Sequence, residues 1–360
     1  MNEPIRFELS PSMFGPKKQT IATFGSLSAS IFTYDSGVEA IRLENSLGGL
    51  TILPYHGQQI WRCDFLGREL TMKSIFDEPT GSRDYLRSYG GFLLHCGATA
   101  MGVPSDQDDH PLHGDLPNAA YRNAAIIAGS DEKGRYLSVT GRYEHKVAFN
   151  CRYSAEPTIK LREKATGIDV GITISNLRAE PMPLMYMMHI NFRPEDNAEL
   201  FYTAPKTSAA VRVHNSVPGH IKSGRIEDLK AFMDKLETDP TLHHVLKADL
   251  PLDPEVVFTV HYEADSEGWA KTMLRYPDGT GAYVSHRPDE LPVGIRWLSR
   301  KGDEEAAGIC LPATAEHKGF SAELEKGNVQ YLEAHQSRTF RVKTGLLDSG
   351  EAKHLADKIG

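Results

Sequence analysis

Cysteine is scarce: Cys63, Cys96, Cys151 and Cys310 are the four present in 360 residues, and no two of them form a CxxC pair. Four are too few to staple a chain of this length, and their spacing is wrong for a structural zinc, so free thiols in a reducing cytoplasm are expected. Long apolar runs are missing too. The most apolar stretch, around Met182 to Met188, is short and holds Pro183, well below the ~20 residues a membrane-crossing helix needs. The opening MNEPIRFELSPSMFG has no charged-then-apolar export signal. Basic runs are also absent. With 40 Lys and Arg against 48 Asp and Glu the formal charge is −8, and scattered cations on a net acidic chain give nucleic acid or an anionic membrane nothing to hold. The expectation is a cytoplasmic protein with neither as a partner.

What is present suits a folded core. The chain is 40% hydrophobic and 24% charged, outside the composition that keeps chains disordered. Its clearest periodicity is two-fold: Ile168, Val170, Ile172 and Ile174 alternate with Asp169, Gly171, Thr173 and Ser175, as in a half-buried strand. Leu137 and Val139, the run Val256 to Tyr262, and Phe340, Val342 and Thr344 repeat the pattern. Turn formers such as Pro277-Asp278-Gly279 separate these runs, and 31 Gly and 21 Pro mark frequent reversals. A helical spacing appears from Arg225 to Leu236, through Ile226, Leu229, Phe232 and Met233, and a weaker one through Ala352, Leu355 and Ile359. No repeat, linker or composition shift divides the chain. The fold class expected is all-β, a large antiparallel sandwich over residues 1–360 as one domain, with a helical insertion near 225–237 and one or two peripheral helices.

Two segments concentrate residues able to do chemistry. From Arg87 to Arg122 the chain reads RSYGGFLLHCGATAMGVPSDQDDHPLHGDLPNAAYR, with His95, His110 and His113 among glycines and aspartates; such loops on a rigid β scaffold are where sites tend to sit. In PMPLMYMMHINFRPEDNAEL, His189 and Asn191 are two apart and share one face of a strand whose other residues read apolar on both faces. An imidazole leaving such a dry wall is finely balanced between its neutral and charged forms. Tyr89 lies two residues from Arg87 and shares its face if that segment is extended, and Trp297 in LPVGIRWLS offers a flat surface for an apolar ligand face.

In order along the chain, Arg87, the Leu112-His113-Gly114 turn, the His189-x-Asn191-Phe192 strand and a late GICLPAT segment resemble the aldose 1-epimerase (galactose mutarotase) superfamily. GGFLLHCG and PLHGDLPN look most like a bacterial branch of mutarotase-like proteins, and the likeness runs from about Gly57 to Gly345. It implies a β-sandwich that interconverts the anomers of a free aldose, a small-molecule sugar, by acid/base ring opening. By that likeness His189 is the general acid, His113 orients the substrate and Arg87 contacts its hydroxyls, with Asn191, Trp297 and Tyr89 completing the substrate site. No cofactor and no metal is required.

The family's base is a glutamate just ahead of the stretch matched here by Pro312-Ala313-Thr314, and this chain has Leu311 there. Leucine accepts no proton. Glu316 is the carboxylate next in sequence and the first candidate substitute, followed by Glu323, Glu333, Asp108, Asp109 and Asp115. Two alternatives stay open: a sugar-binding or regulatory protein that has lost catalysis, and a metal-dependent sugar isomerase or lyase built on His95, His110, His113 and His189. Arg87, Arg122 and Arg193 leave a phosphorylated sugar possible.

Overall fold

Strands dominate the structure, a computed structural model that describes residues 3–216 and 225–360. They form two antiparallel sheets of 11 and 13 strands. The alternation from Ile168 to Ile174 lies in the strand Gly167–Asn176, where the isoleucines and Val170 are buried and the residues between them are half-buried. This strand pairs with Ser337–Leu347, setting Ile172 opposite Phe340 and Val170 opposite Val342. Both belong to the 11-stranded sheet.

The 13-stranded sheet faces it through the other side of the core. Its central strand Met182–Ile190 is covered on both faces, as the run of apolar residues requires. Tyr186 points inward and stacks on Phe340 of the opposite sheet, with ring centroids 4.8 Å apart and planes within 3°. Its hydroxyl lies 2.7 Å from His95 Nδ1, so the buried phenol is satisfied. Because side chains alternate, Met187, His189 and Asn191 are left on the outer face of this sheet. One continuous apolar cluster joins both sheets.

Among the described residues three α-helices occur, Ile226–Thr238, Phe320–Glu325 and Ser349–Ile359. The first and last stand where apolar spacing predicts them. The first buries Leu229, Phe232, Met233 and Leu236, and the last starts from an Asp348 cap whose carboxylate accepts from the Glu351 amide. The short Phe320–Glu325 helix carries too few turns for a periodic signal. No described helix is long and apolar enough to cross a membrane.

Candidate functional site

The outer face of the 13-stranded sheet bears a cavity of about 470 Å³. Its floor comes from four strands adjacent in the sheet: Val256–Val260, Val293–Lys301, Glu304–Ala313 and Met182–Ile190. On the second of these, Ile295, Trp297, Ser299 and Lys301 all line the cavity, since residues two apart share a face. Strict alternation on the partner strand would turn Leu311 away from the side that shows Glu304 and Ala306. A bulge prevents this. Trp297 pairs with Gly308 and Ile295 with Leu311, so two residues oppose one and the parity flips. Leu311 thereby enters the cavity, while Cys310 turns to the core, 3.7 Å from His286 Nδ1.

His189 stands on the neighbouring strand. Met187 pairs with Ala313, and two residues further on antiparallel counting sets Leu311 beside His189. Asn191 fixes the imidazole. Its Nδ2 donates to the Gly91 carbonyl at 3.0 Å, which turns its Oδ1 toward His189 Nδ1 at 2.7 Å and toward the Tyr89 hydroxyl at 3.0 Å. An amide oxygen only accepts, so the network assigns the proton to Nδ1 and leaves Nε2, with its lone pair, as the ring nitrogen open to the cavity. Burial pushes the His189 pKa down to about 4, against the upward pull of the Asn191 bond. At neutral pH the ring is uncharged, so its Nε2 presents a lone pair where the sequence likeness implies a donor.

Aromatic rings surround it. Trp297 meets His189 edge to face at 5.4 Å, Tyr89 at 5.7 Å and His113 at 5.5 Å. His113 is held by its turn: it takes φ 60 and Gly114 takes φ 82, where a Cβ on Gly114 would sit 2.4 Å from the Ala100 carbonyl oxygen. The Trp297 indole N–H donates to Glu255 Oε2 at 2.7 Å, which places a carboxylate on the same wall.

Of the residues singled out in the sequence, His113, His189, Tyr89 and Trp297 line this cavity, and Asn191 orients His189 from behind it. Arg87 and Glu316 do not. The Arg87 side chain is 80% exposed beside Asp84, because its segment is loop and not strand, so the face it was to share with Tyr89 does not form. Glu316 is buried in an ion-pair network with Arg212 and Lys326 and accepts from the Thr259 hydroxyl at 2.7 Å. These cations and that hydroxyl hold its pKa at about 2 despite burial, so it is neither a proton acceptor for the cavity nor a solvated surface group. Glu323 is buried against Lys326 and Asn328. Asp108 caps Ser105 and Ser321, and Asp115 lies 3.7 Å from His145.

The four histidines of the metal alternative do not converge. His95 faces Tyr186 in the core, His110 sits by the Pro111 carbonyl, and among the described residues no three His, Cys, Asp or Glu side chains group as metal ligands. Several cavity residues carry no signal in the sequence. Glu255 is one, in a segment without a motif, and Tyr85, 4.9 Å from the His113 ring, is a second. His317 is another, directly after Glu316 in AEHKG; burial and the nearby Lys318 push its pKa well below the usual range.

Comparison with known proteins bears on the fold. A family model described as a domain of unknown function, DUF4432, matches residues 35–203. No curated protein matches the sequence. Among solved structures, a "putative aldose 1-epimerase" from Klebsiella pneumoniae subsp. pneumoniae MGH 78578 superposes with a TM-score of 0.80 over 99% of this chain and 95% of its own, at 15% identity. A galactose mutarotase-like protein from Clostridium acetobutylicum gives 0.61 over 90% of this chain and 99% of its own, at 13% identity. A galactose mutarotase-like protein from Lactobacillus casei ATCC 334 gives 0.55 over 85% and 99%, at 16% identity. The resemblance carried by the short sequence motifs thus holds for the fold: the chain is a galactose mutarotase-like β-sandwich.

Proposed function

We propose that the protein interconverts the anomers of a reducing sugar, with His189 as the group that moves the proton. The observation that carries this reading is the neutral imidazole of His189, its Nδ1–H tied to Asn191 and its Nε2 turned to an aromatic-walled cavity. Nε2 takes the proton of the anomeric hydroxyl. As the bond between the anomeric carbon and the ring oxygen breaks, its electron pair goes to the ring oxygen, and the imidazolium returns the same proton there. Rotation of the freed aldehyde and reclosure give the other anomer. Both oxygens are bonded to one carbon, so a single nitrogen reaches each in turn. The Asn191 amide oxygen accepts from Nδ1–H throughout and favours the transient imidazolium. Trp297 gives the sugar's C–H face a flat support, and the carboxylate of Glu255 accepts hydrogen bonds from hydroxyls beside it.

The test is anomer equilibration followed by polarimetry over a panel of reducing sugars. Acceleration over buffer for at least one sugar is expected. No acceleration for any would overturn the reading.

A second reading is favoured by Leu311. It stands beside His189 where the likeness calls for a glutamate base, and a leucine there suits a protein that binds a sugar without turning it over. Saturable sugar binding with no anomer exchange would establish it.

A further inference from the structure

The bulge that turns Leu311 into the cavity leaves a backbone carbonyl to be satisfied inside the core. Ile309 and Cys310 together oppose Arg296, and the extra residue of a bulge drops out of the ladder. The Arg296 side chain supplies what the ladder does not. It points into the core, fully buried, and its Nε donates to the Ile309 carbonyl at 3.1 Å. The Tyr262 hydroxyl donates to the same oxygen at 3.4 Å.

A guanidinium is costly to bury, and this one is held by neutral groups. Nη1 donates to His243 Nε2 at 2.8 Å and Nη2 to the Tyr262 hydroxyl at 3.3 Å, while the Tyr202 ring of the opposite sheet lies 4.2 Å from Cζ. Burial, with Arg296 beside it, pushes the His243 pKa well below the usual range, so that ring is neutral and Nε2 accepts. Fixed on several sides, the guanidinium fixes the carbonyl it holds. An apolar side chain would fill the space and leave the Ile309 oxygen without this donor.

The consequence for the cavity follows from the register. From the Lys301 end the pairs run Lys301 with Glu304, Ser299 with Ala306 and Trp297 with Gly308. Without the bulge, the next step of two sets Cys310 opposite Ile295 in place of Leu311, and cross-strand partners share a face. The thiol would then stand in the cavity and Leu311 in the core. Trp297, next to Arg296 in the chain and 5.4 Å from His189, sits directly beside that change.

We propose that Arg296 is a positioning residue for anomer exchange: its bond to the Ile309 carbonyl pins the bulge from the core side and so holds Trp297 and Leu311 at His189. This rests on the anomerase reading above and adds a residue that never touches the sugar. A reacting group displaced by about 1 Å loses roughly 100-fold in rate, so a clamp behind the sheet acts on the chemistry in front of it.

The experiment uses Arg296→Met, which keeps an unbranched stem and removes the donors, and Tyr262→Phe, a milder change that removes the second donor to the same carbonyl. Anomer exchange on an accepted sugar is measured per folded molecule, beside alkylation of the native protein by iodoacetamide mapped by mass spectrometry. In the wild type all four cysteines are buried, and burial raises the Cys310 thiol to about 12, so none should react. Arg296→Met should lower kcat about tenfold or more and open Cys310 alone to alkylation, which the sugar should slow. Tyr262→Phe should lower kcat about threefold and open Cys310 more slowly. Wild-type kcat in the folded variants, or a lowered kcat with Cys310 still closed, overturns the inference and leaves the anomerase reading intact. Alkylation spread over all four cysteines would mean general loosening and overturn it too. If Arg296→Met does not fold, Tyr262→Phe decides by the same two readings. No turnover by the wild type overturns the anomerase reading and this role together.

Discussion

His189 Nδ1 lies 2.7 Å from Asn191 Oδ1, two residues along the same strand, and this one bond decides which ring nitrogen faces the cavity. The strand supplies the pair through its own geometry, since alternate side chains share a face. The Gly91 carbonyl then orients the amide, and the amide orients the imidazole.

Asn191→Asp should raise the His189 pKa from about 4, because a carboxylate beside Nδ1 favours the imidazolium. Histidine NMR titration reads this directly, and an unmoved midpoint would contradict the assigned bond. Asn191→Leu should cost about 1–3 kcal/mol in urea unfolding, since it strips partners from His189 Nδ1, the Tyr89 hydroxyl and the Gly91 carbonyl.

Acid should weaken the fold well above the carboxylate range. His56 and His189 are held near pKa 4 and His95 and His286 near 3, in each case first by burial. Folding depresses these values, so the stability they contribute is complete above the unfolded value of 6.5 and is lost as pH falls toward 4 and then 3. His189 alone accounts for about 3 kcal/mol of this pH dependence, from its drop to about 4. Urea midpoints should decline from pH 7 to pH 4. A flat profile would show that these rings are not buried as neutral groups.

Glu255→Gln keeps an oxygen for the Trp297 indole but removes the charge. Loss of a charged hydrogen-bond acceptor predicts a KM raised roughly 10- to 100-fold with kcat within a few fold. A collapse of kcat at constant KM would instead make Glu255 the proton-transfer group and end the single-nitrogen relay.

Glu316→Gln should cost stability, about 1–3 kcal/mol, because it leaves the Arg212 and Lys326 charges with a neutral partner at a buried position. The Glu316 carboxyl is held at about 2, so its contribution is full above the unfolded value and fades as pH falls from about 4.5 to 2. Anomer exchange per folded molecule should stay within about twofold, since the side chain does not reach the cavity. A loss of exchange without loss of fold would return Glu316 to the role its sequence position suggests.

The sandwich was legible because alternation is a local signal: Ile168 to Ile174 announces a strand facing one core, and Leu229, Phe232, Met233 and Leu236 announce a helix. His189 and Asn191 were legible for the same reason. Leu311 was not, because its entry into the cavity depends on a bulge opposite Arg296, whose position no periodicity reveals. Glu255 and His317 come to the site from segments more than 60 residues from His189 in sequence, where only sheet order brings them together. Glu316 misleads for a further reason. Its charged neighbours read as solvent-facing, yet Arg212, from a strand about 100 residues earlier, buries it.

The central claim is that a neutral His189 carries the proton between the two oxygens of an anomeric centre. Saturation-transfer exchange between anomers, measured as a function of pH for wild type and His189→Gln on an accepted sugar, tests it most directly. In the wild type, kcat/KM should rise through a midpoint near 4, the His189 value, and stay level to neutrality, while His189→Gln, folded by circular dichroism, should lose at least about 100-fold. Full exchange in His189→Gln, or a midpoint at the ordinary histidine value of about 6.5, would contradict it.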